Sequence, residues 1–131
     1  MLLVRTLVKP SAISGLGLFA DQAIPSGSVI WEFKSGEDRE LTEQQLQEME
    51  ALEQRQIRHH TYRCINSGLY ILCGDDARYM NHSDTPNTRD ETNGAFQGQT
   101  VASRDINPGE EITTNYFDYD TEADLKLGKN A

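Results

Sequence analysis

Apolar residues along this chain come in short runs separated by turn formers, not in long periodic stretches. Leu2 to Val8 reads as a β-strand stopped by Pro10 and Ser11, and Gly15-Leu16-Gly17-Leu18-Phe19-Ala20 follows it. A turn at Pro25-Ser26-Gly27 leads into a strand from Ser28 to Phe33, which Ser35-Gly36 breaks. Leu69 to Cys73 is a short apolar strand entered through Ser67-Gly68 and left through Gly74. The stretch from Asn81 to Gly98 holds little apolar material, so loop and turns are expected there. Thr100 to Ser103 and Glu111 to Tyr116 are further strands, separated by a turn at Asn107-Pro108-Gly109. One main helix is predicted over about 42–59, rich in Glu, Gln, Leu and Arg. Thr42 and Gln45 have capping-box spacing at its start, and Leu46, Met49, Leu52 and Ile57 form a narrow apolar stripe. Many short strands with one helix describe a mainly β, α+β domain. The expected organisation is a single domain over 1–120 and a tail over 121–131 that forms a short helix or stays loose.

One regularity crosses the strands. Ala20, Ile24, Gly27 and Ile30 share their spacing with Ala102, Ile106, Gly109 and Ile112, each pair 82 residues apart. Two readings stay open: chance matching of a common hairpin-like pattern, or two related strand–turn–strand units packed against each other.

Composition narrows the function classes. The 131 residues carry 12 basic and 21 acidic side chains, a net charge of −9. That balance disfavours direct nucleic-acid binding, which needs a basic surface, and would steer a basic peptide toward the protein. No apolar run approaches the roughly 18 residues that span a membrane, and no secretory signal is expected. Two cysteines, Cys64 and Cys73, fit neither a disulfide framework nor a zinc cluster, so cytoplasmic residence and no metal are the expectations.

Three segments could carry chemistry. Gly15 and Gly17 flank Leu16 just after a strand, where backbone without side chains can approach a ligand or simply turn. Neither a third glycine at dinucleotide spacing nor a phosphate-loop lysine accompanies them. Asp75 to Asn87 concentrates polar groups: Asp76, His82 and Asp84 suggest a metal or nucleophile–base site, against a plain hydrogen-bonded loop. A third strong ligand is hard to find, since His59 and His60 sit on the helix. Asn115-Tyr116-Phe117-Asp118-Tyr119-Asp120 is either a packed core edge or an aromatic slot suited to a lysine side chain.

Taken in order, these segments resemble the SET-domain lysine methyltransferases. Gly15-Leu16-Gly17-Leu18-Phe19 is similar to the family's first Gly-x-Gly segment, and Ile24 to Ile30 to the turn that follows it. Tyr79-Met80-Asn81-His82-Ser83, with Pro86-Asn87 after it, resembles the Asn-His-Ser motif. Gly109-Glu110-Glu111-Ile112-Thr113, ending at Tyr116, resembles the terminal Gly-Glu-Glu-Leu-Thr-x-x-Tyr motif. The resemblance covers about residues 3 to 120 and implies the SET (β-clip) fold of small curved sheets with a C-terminal pseudoknot, which would bring Asn81-His82 beside Tyr116.

The resemblance also implies an S-adenosylmethionine-dependent enzyme that methylates a lysine on a protein or peptide; the alternative it leaves is an inactive binding module of the same fold. Backbone around Gly15, Leu16, Gly17 and Leu18 would hold the cofactor's amino-acid portion, Asn81 its ammonium, and the His82 backbone its adenine. Tyr116 would be the catalytic tyrosine beside the reacting methyl group. Tyr62, Tyr70 or Tyr119 would wall the substrate channel, with Tyr119 preferred. The sequence departs from the commoner pattern at Asp84 and Asn115, and it lacks a cysteine-rich segment after Tyr116. The adenine-side lid would then be Phe117 or the tail with Leu125 and Leu127. The small size leaves room for a homodimer that completes the substrate groove.

Overall fold

Short apolar runs build short strands, and in the computed structural model these strands make four small sheets among the described residues, 1–91 and 98–127. β1 (Thr6–Pro10) pairs antiparallel with β2 (Leu16–Ala20). β3 (Val29–Glu32), β9 (Gln99–Ala102) and β8 (Thr88–Glu91) form an antiparallel sheet in that spatial order. β4 (Arg39–Leu41), β6 (Tyr70–Leu72) and β5 (Thr61–Arg63) form another. The fourth is a two-residue parallel pair, β7 (Asn81–His82) with β10 (Thr113–Thr114). The helices α1 (Glu43–Gln47), α2 (Ala51–His60) and α3 (Ala123–Lys126) are short, as are single turns of 3-10 helix at Asp76–Tyr79 and Tyr116–Asp118.

The 82-residue repeat is structural. Gly109 N–H donates to Ala20 O and Gly27 N–H to Ala102 O, each at 2.8 Å, while Ile24 and Ile106 exchange both backbone bonds at 2.9 Å. Ala20 N–H donates to Glu110 O and Ala102 N–H to Ser28 O, again at 2.9 Å. Each bond maps onto its mate when 82 is added to one residue and subtracted from the other, so the two units face each other across a local two-fold. Gly27 and Gly109 carry φ of 87° and 89°, a left-handed conformation that glycine adopts without strain. The side chains of the two units supply most of the main core: Ala20, Ile24, Ile30, Ala102, Ile106 and Ile112, with Leu18.

The structure corrects several boundaries. The predicted helix over 42–59 is two helices, broken after Gln47 and restarted at Ala51. Its capping box is present, with Gln45 N–H on Thr42 Oγ1 at 3.1 Å and Thr42 N–H on Gln45 Oε1 at 2.8 Å. Arg58 Nη2 reaches Glu43 Oε1 at 2.6 Å, whereas fifteen residues of continuous helix would separate them by roughly 22 Å. This cross-helix pair and the packing of Leu46, Met49 and Ile57 around Leu41 and Tyr70 favour the break. Leu52, assigned to the apolar stripe, is instead 68 % exposed. The first strand runs Thr6–Pro10, because Leu2 bridges to Trp31 and Leu3 bonds Ile30 before the chain changes partner to β2. The polar stretch from Asn81 contains β7 and β8, whose pairing partners lie far away in the sequence; its residues 92–97 lie outside the described residues.

The C-terminal segment 111–116 is bracketed on two sides. Toward β2, Ile112 N–H donates to Leu18 O at 2.8 Å and Glu111 bridges Phe19. On the other side the buried Asn87 amide clasps it: Nδ2 donates to Glu111 O at 2.8 Å and Oδ1 accepts Thr113 N–H at 2.9 Å. Thr88 Oγ1 donates to Thr113 O at 2.7 Å, and Ser83 N–H to Thr114 O at 2.9 Å. Polar side chains therefore do here what ladder hydrogen bonds do in a longer sheet. Asn87→Ala would orphan a part-buried carbonyl and a buried N–H, so we expect a loss of about 2–4 kcal/mol in urea-unfolding stability; a loss under about 0.5 kcal/mol would show that the clasp does not hold this segment.

Candidate active site

The turn between β1 and β2 is tied down by one carboxylate. Ser11 Oγ donates to Glu111 Oε1 and Oε2 at 2.8 and 2.9 Å, and Asn81 Nδ2 donates to Oε2 at 2.9 Å. Asn81 Nδ2 also faces Ser14 O at 3.1 Å and Leu16 O at 3.2 Å. A Cβ on Gly17 would lie 2.5 Å from Glu111 Oε2 and 3.0 Å from Ser11 Cβ, so only glycine lets the carboxylate sit there. The amide nitrogen of Asn81 is thus saturated, while its Oδ1 accepts no hydrogen bond among the described residues.

Asn81, Ser14, Gly15 and Leu16 line one part of a cavity of about 490 Å³. That is within the size of ordinary small-molecule sites. Tyr62, Tyr116 and Tyr119 line another part of it. Tyr62 and Tyr119 meet edge-on with ring centroids 4.9 Å apart, and Tyr119 lies 6.2 Å from Tyr116. Burial pushes the phenols of Tyr62 and Tyr119 above their ordinary range. Burial, then the nearby Asp120, does the same to Tyr116. All three keep their hydroxyl protons at neutral pH.

Two contacts fix Tyr116. Its hydroxyl donates to Met80 O at 3.0 Å, and its backbone N–H donates to His82 Nδ1 at 3.1 Å. With Nδ1 accepting, the His82 ring proton belongs on Nε2, which faces Asp84 Oδ1 at 2.8 Å. Asp120, buried behind the ring, accepts Arg63 N–H and Glu122 N–H at 3.0 Å through Oδ1. Its Oδ2 forms an ion pair with Lys126 Nζ at 2.6 Å, outside hydrogen-bond geometry. The sheet contributes a third wall. Trp31, Thr100 and Asp90 are direct cross-strand neighbours on β3, β9 and β8, and all three line the cavity. Burial first, then Asp118 and Glu91, holds the Asp90 carboxyl up at about 7.

A family model of the SET domain matches residues 15–117. The chain belongs to the SET-domain family. Solved structures with the same fold include that of a Plasmodium falciparum protein described as a candidate histone methyltransferase, with a TM-score of 0.60 and 19 % identity over 86 % of this chain and 93 % of that one. A humanized mutant of the Chaetomium thermophilum Polycomb repressive complex 2, bound to the inhibitor GSK126, gives 0.63 and 23 % over 93 % of this chain. ctPRC2 in an autoinhibited conformation, bound to S-adenosylmethionine, gives 0.65 and 23 % over 97 %. This chain spans only 16 % and 17 % of those two longer chains. No curated protein sequence matches it.

Within this SET domain, Gly15, Leu16, Asn81, Tyr62, Tyr116 and Tyr119 share one cavity. Gly17 packs on Glu111, and Leu18 is fully buried in the main core. His82 holds Tyr116 from behind and touches Phe117, with ring centroids 5.8 Å apart; Phe117 is 41 % exposed. Tyr70, expected as a channel wall, stands outside the cavity. Its ring packs with Leu41 and Leu46, and its hydroxyl donates to Glu122 Oε2 at 2.6 Å, because its rung of the β4–β6–β5 sheet faces the small core beneath α1. Among the described residues no group of three or more His, Cys, Asp or Glu is placed to hold a metal ion. Sequence reasoning missed Asp90, Trp31 and Thr100, and also the Ser11–Glu111–Asn81 clasp. Asp90 lies in a segment without apolar alternation, and only the strand register reveals which face it shares.

Gly17→Ala is expected to displace Glu111 and release Asn81, weakening S-adenosylhomocysteine binding by about tenfold or more in calorimetry. An unchanged affinity would show that this turn does not hold the ligand.

Proposed function

We propose that this SET domain transfers a methyl group from S-adenosylmethionine to the side-chain amine of a lysine on a protein substrate. The observation that carries the proposal is the joining, in one cavity, of the Asn81-anchored glycine turn and a wall of three tyrosines. The residues fit the cofactor's amino-acid portion: Asn81 Oδ1 is an acceptor for its ammonium, and the Gly15–Leu16 backbone approaches with no side chain at Gly15. When bound, the cofactor supplies a methyl group on a positively charged sulfur, which a neutral amine displaces in line.

The protein's own contribution is alignment and exclusion of water. Tyr62 and Tyr119 offer ring faces and edges for the four methylenes of lysine, and the slot they make is dry enough to favour the neutral amine. Met80 O holds the Tyr116 hydroxyl, leaving the phenol oxygen's lone pairs for weak C–H···O contacts with a polarised methyl group. His82 keeps the backbone of Tyr116 in register, a structural role that needs no proton transfer. The net charge of −9 favours a basic peptide as the lysine-bearing partner. S-adenosylmethionine bound in the ctPRC2 structure belongs to that protein, and it supports the same cofactor here.

The test is methyl transfer from labelled cofactor to lysine-rich proteins, with S-adenosylhomocysteine calorimetry beside it. Binding with transfer supports the enzyme, binding without transfer indicates an inactive module, and neither removes the reading. Tyr116→Phe should cut turnover by about 100-fold or more while changing cofactor affinity little. An unchanged rate would assign the chemistry to another residue.

A further inference from the structure

Resting on that reading, we infer that Asp90 is the carboxylate that receives the substrate's ammonium and takes its proton before methyl transfer. Of the described residues that line the cavity, Asp90 is the one acid, and it shares the cavity with the three tyrosines. It stands at the end of the Trp31–Thr100–Asp90 rung, so a rigid three-stranded sheet fixes its direction. The Trp31 indole N–H, buried and without an acceptor among the described residues, is a second polar group on the same rung.

The groups facing Asp90 leave its charge uncompensated. Asp118 closes the 3-10 turn that begins at Tyr116, and Glu91 follows Asp90 on β8; both are acidic. Tyr62, on β5, is a phenol whose ionisation Asp90 opposes. Of the cationic side chains that line the cavity, Arg58 pairs with Glu43 and Lys126 with Asp120, each at 2.6 Å, while Arg78 turns its Nε to Asp75 O at 3.4 Å; burial, Asp118 and Glu91 are what act on the Asp90 carboxyl. An incoming ammonium would supply this carboxylate with a counter-charge.

Lysine Nζ–H⁺ gives its proton to Asp90 Oδ, directly or through one water, which leaves a neutral amine and a carboxylic acid. The amine lone pair forms the new C–N bond as the C–S bond breaks, and the bonding pair goes to sulfur. The product is a methylated ammonium, and Asp90 later returns its proton to solvent. A carboxyl held at about 7 has both forms populated near neutrality, which suits a group that must accept and then release a proton. Raised by burial, it is competent as a base above pH 7 and is lost as a base when protonated below it.

Trp31 is the chain's one tryptophan, so its fluorescence reports this cavity directly. Titration with n-butylammonium, a mimic of the lysine head, is expected to change Trp31 emission and to bind more tightly as pH rises through about 7. Asp90→Asn should weaken that binding by about tenfold or more while S-adenosylhomocysteine affinity stays the same. Asp90→Glu, which keeps the charge, should retain amine binding and guards against a folding defect in the first variant. In the transfer assay Asp90→Asn should flatten the acidic limb of the pH–rate profile and lower the rate at pH 8 by about 100-fold. Wild-type butylammonium affinity and an unaltered acidic limb in Asp90→Asn would overturn the inference. Absence of transfer by the wild type would count against the enzymatic reading instead, and the amine titration, which needs no turnover, still decides whether Asp90 holds the ammonium.

Discussion

The parallel pairing of Asn81–His82 with Thr113–Thr114 involves only two residues on each side, yet the site is assembled around it. So short a ladder cannot hold itself together. It persists because buried side chains complete it: the Asn87 amide takes both backbone polar groups offered by Glu111 and Thr113, and Thr88 takes the Thr113 carbonyl. From this junction the two functional directions diverge. Asn81 reaches out to the glycine turn, and His82 reaches across to set the Tyr116 backbone.

What lies beneath the junction is the local two-fold. Two strand–turn–strand units bury Ile24 and Ile106 between them and exchange reciprocal backbone bonds. Ile112, at the end of the second unit, bonds to Leu18 on β2 and so delivers the following residues to the junction in register. Glu111 sits at the same corner. Its carboxylate reads the absence of a side chain at Gly17 and fastens Ser11 and Asn81 together. Core geometry and site geometry are coupled through three consecutive residues.

Much of this was legible in the sequence because it is carried by residues with few conformational substitutes. The repeat is visible in Gly27 and Gly109, each needed for a turn with positive φ, and in the isoleucines at fixed offsets from them. The motif residues Gly15, Asn81 and Tyr116 stand together in one cavity, a juxtaposition that only the family resemblance implied. The break between α1 and α2 was not legible, since no glycine or proline marks it and an ion pair across the break favours it. Nor was β8: Thr88-Arg89-Asp90-Glu91 has no apolar alternation, and it becomes a strand because β9 supplies its hydrogen bonds. Tyr70 and Tyr62 are equivalent by composition, but the sheet turns one into a small core and the other into the cavity. Side-chain direction at these positions is set by register with distant strands, which a local pattern does not contain.

If the proposed chemistry is right, one cavity, organised by the 81–82 and 113–116 segments, holds both a methyl donor and a lysine. A crystal structure of the chain with S-adenosylhomocysteine and a lysine-bearing peptide would decide this. The amino-acid end of the cofactor product is expected against Gly15, Leu16 and Asn81, with the lysine amine between Tyr62, Tyr116, Tyr119 and Asp90. Cofactor product bound elsewhere on the surface, or lysine bound without approaching Tyr116, would mean that this cavity is not the site of methyl transfer.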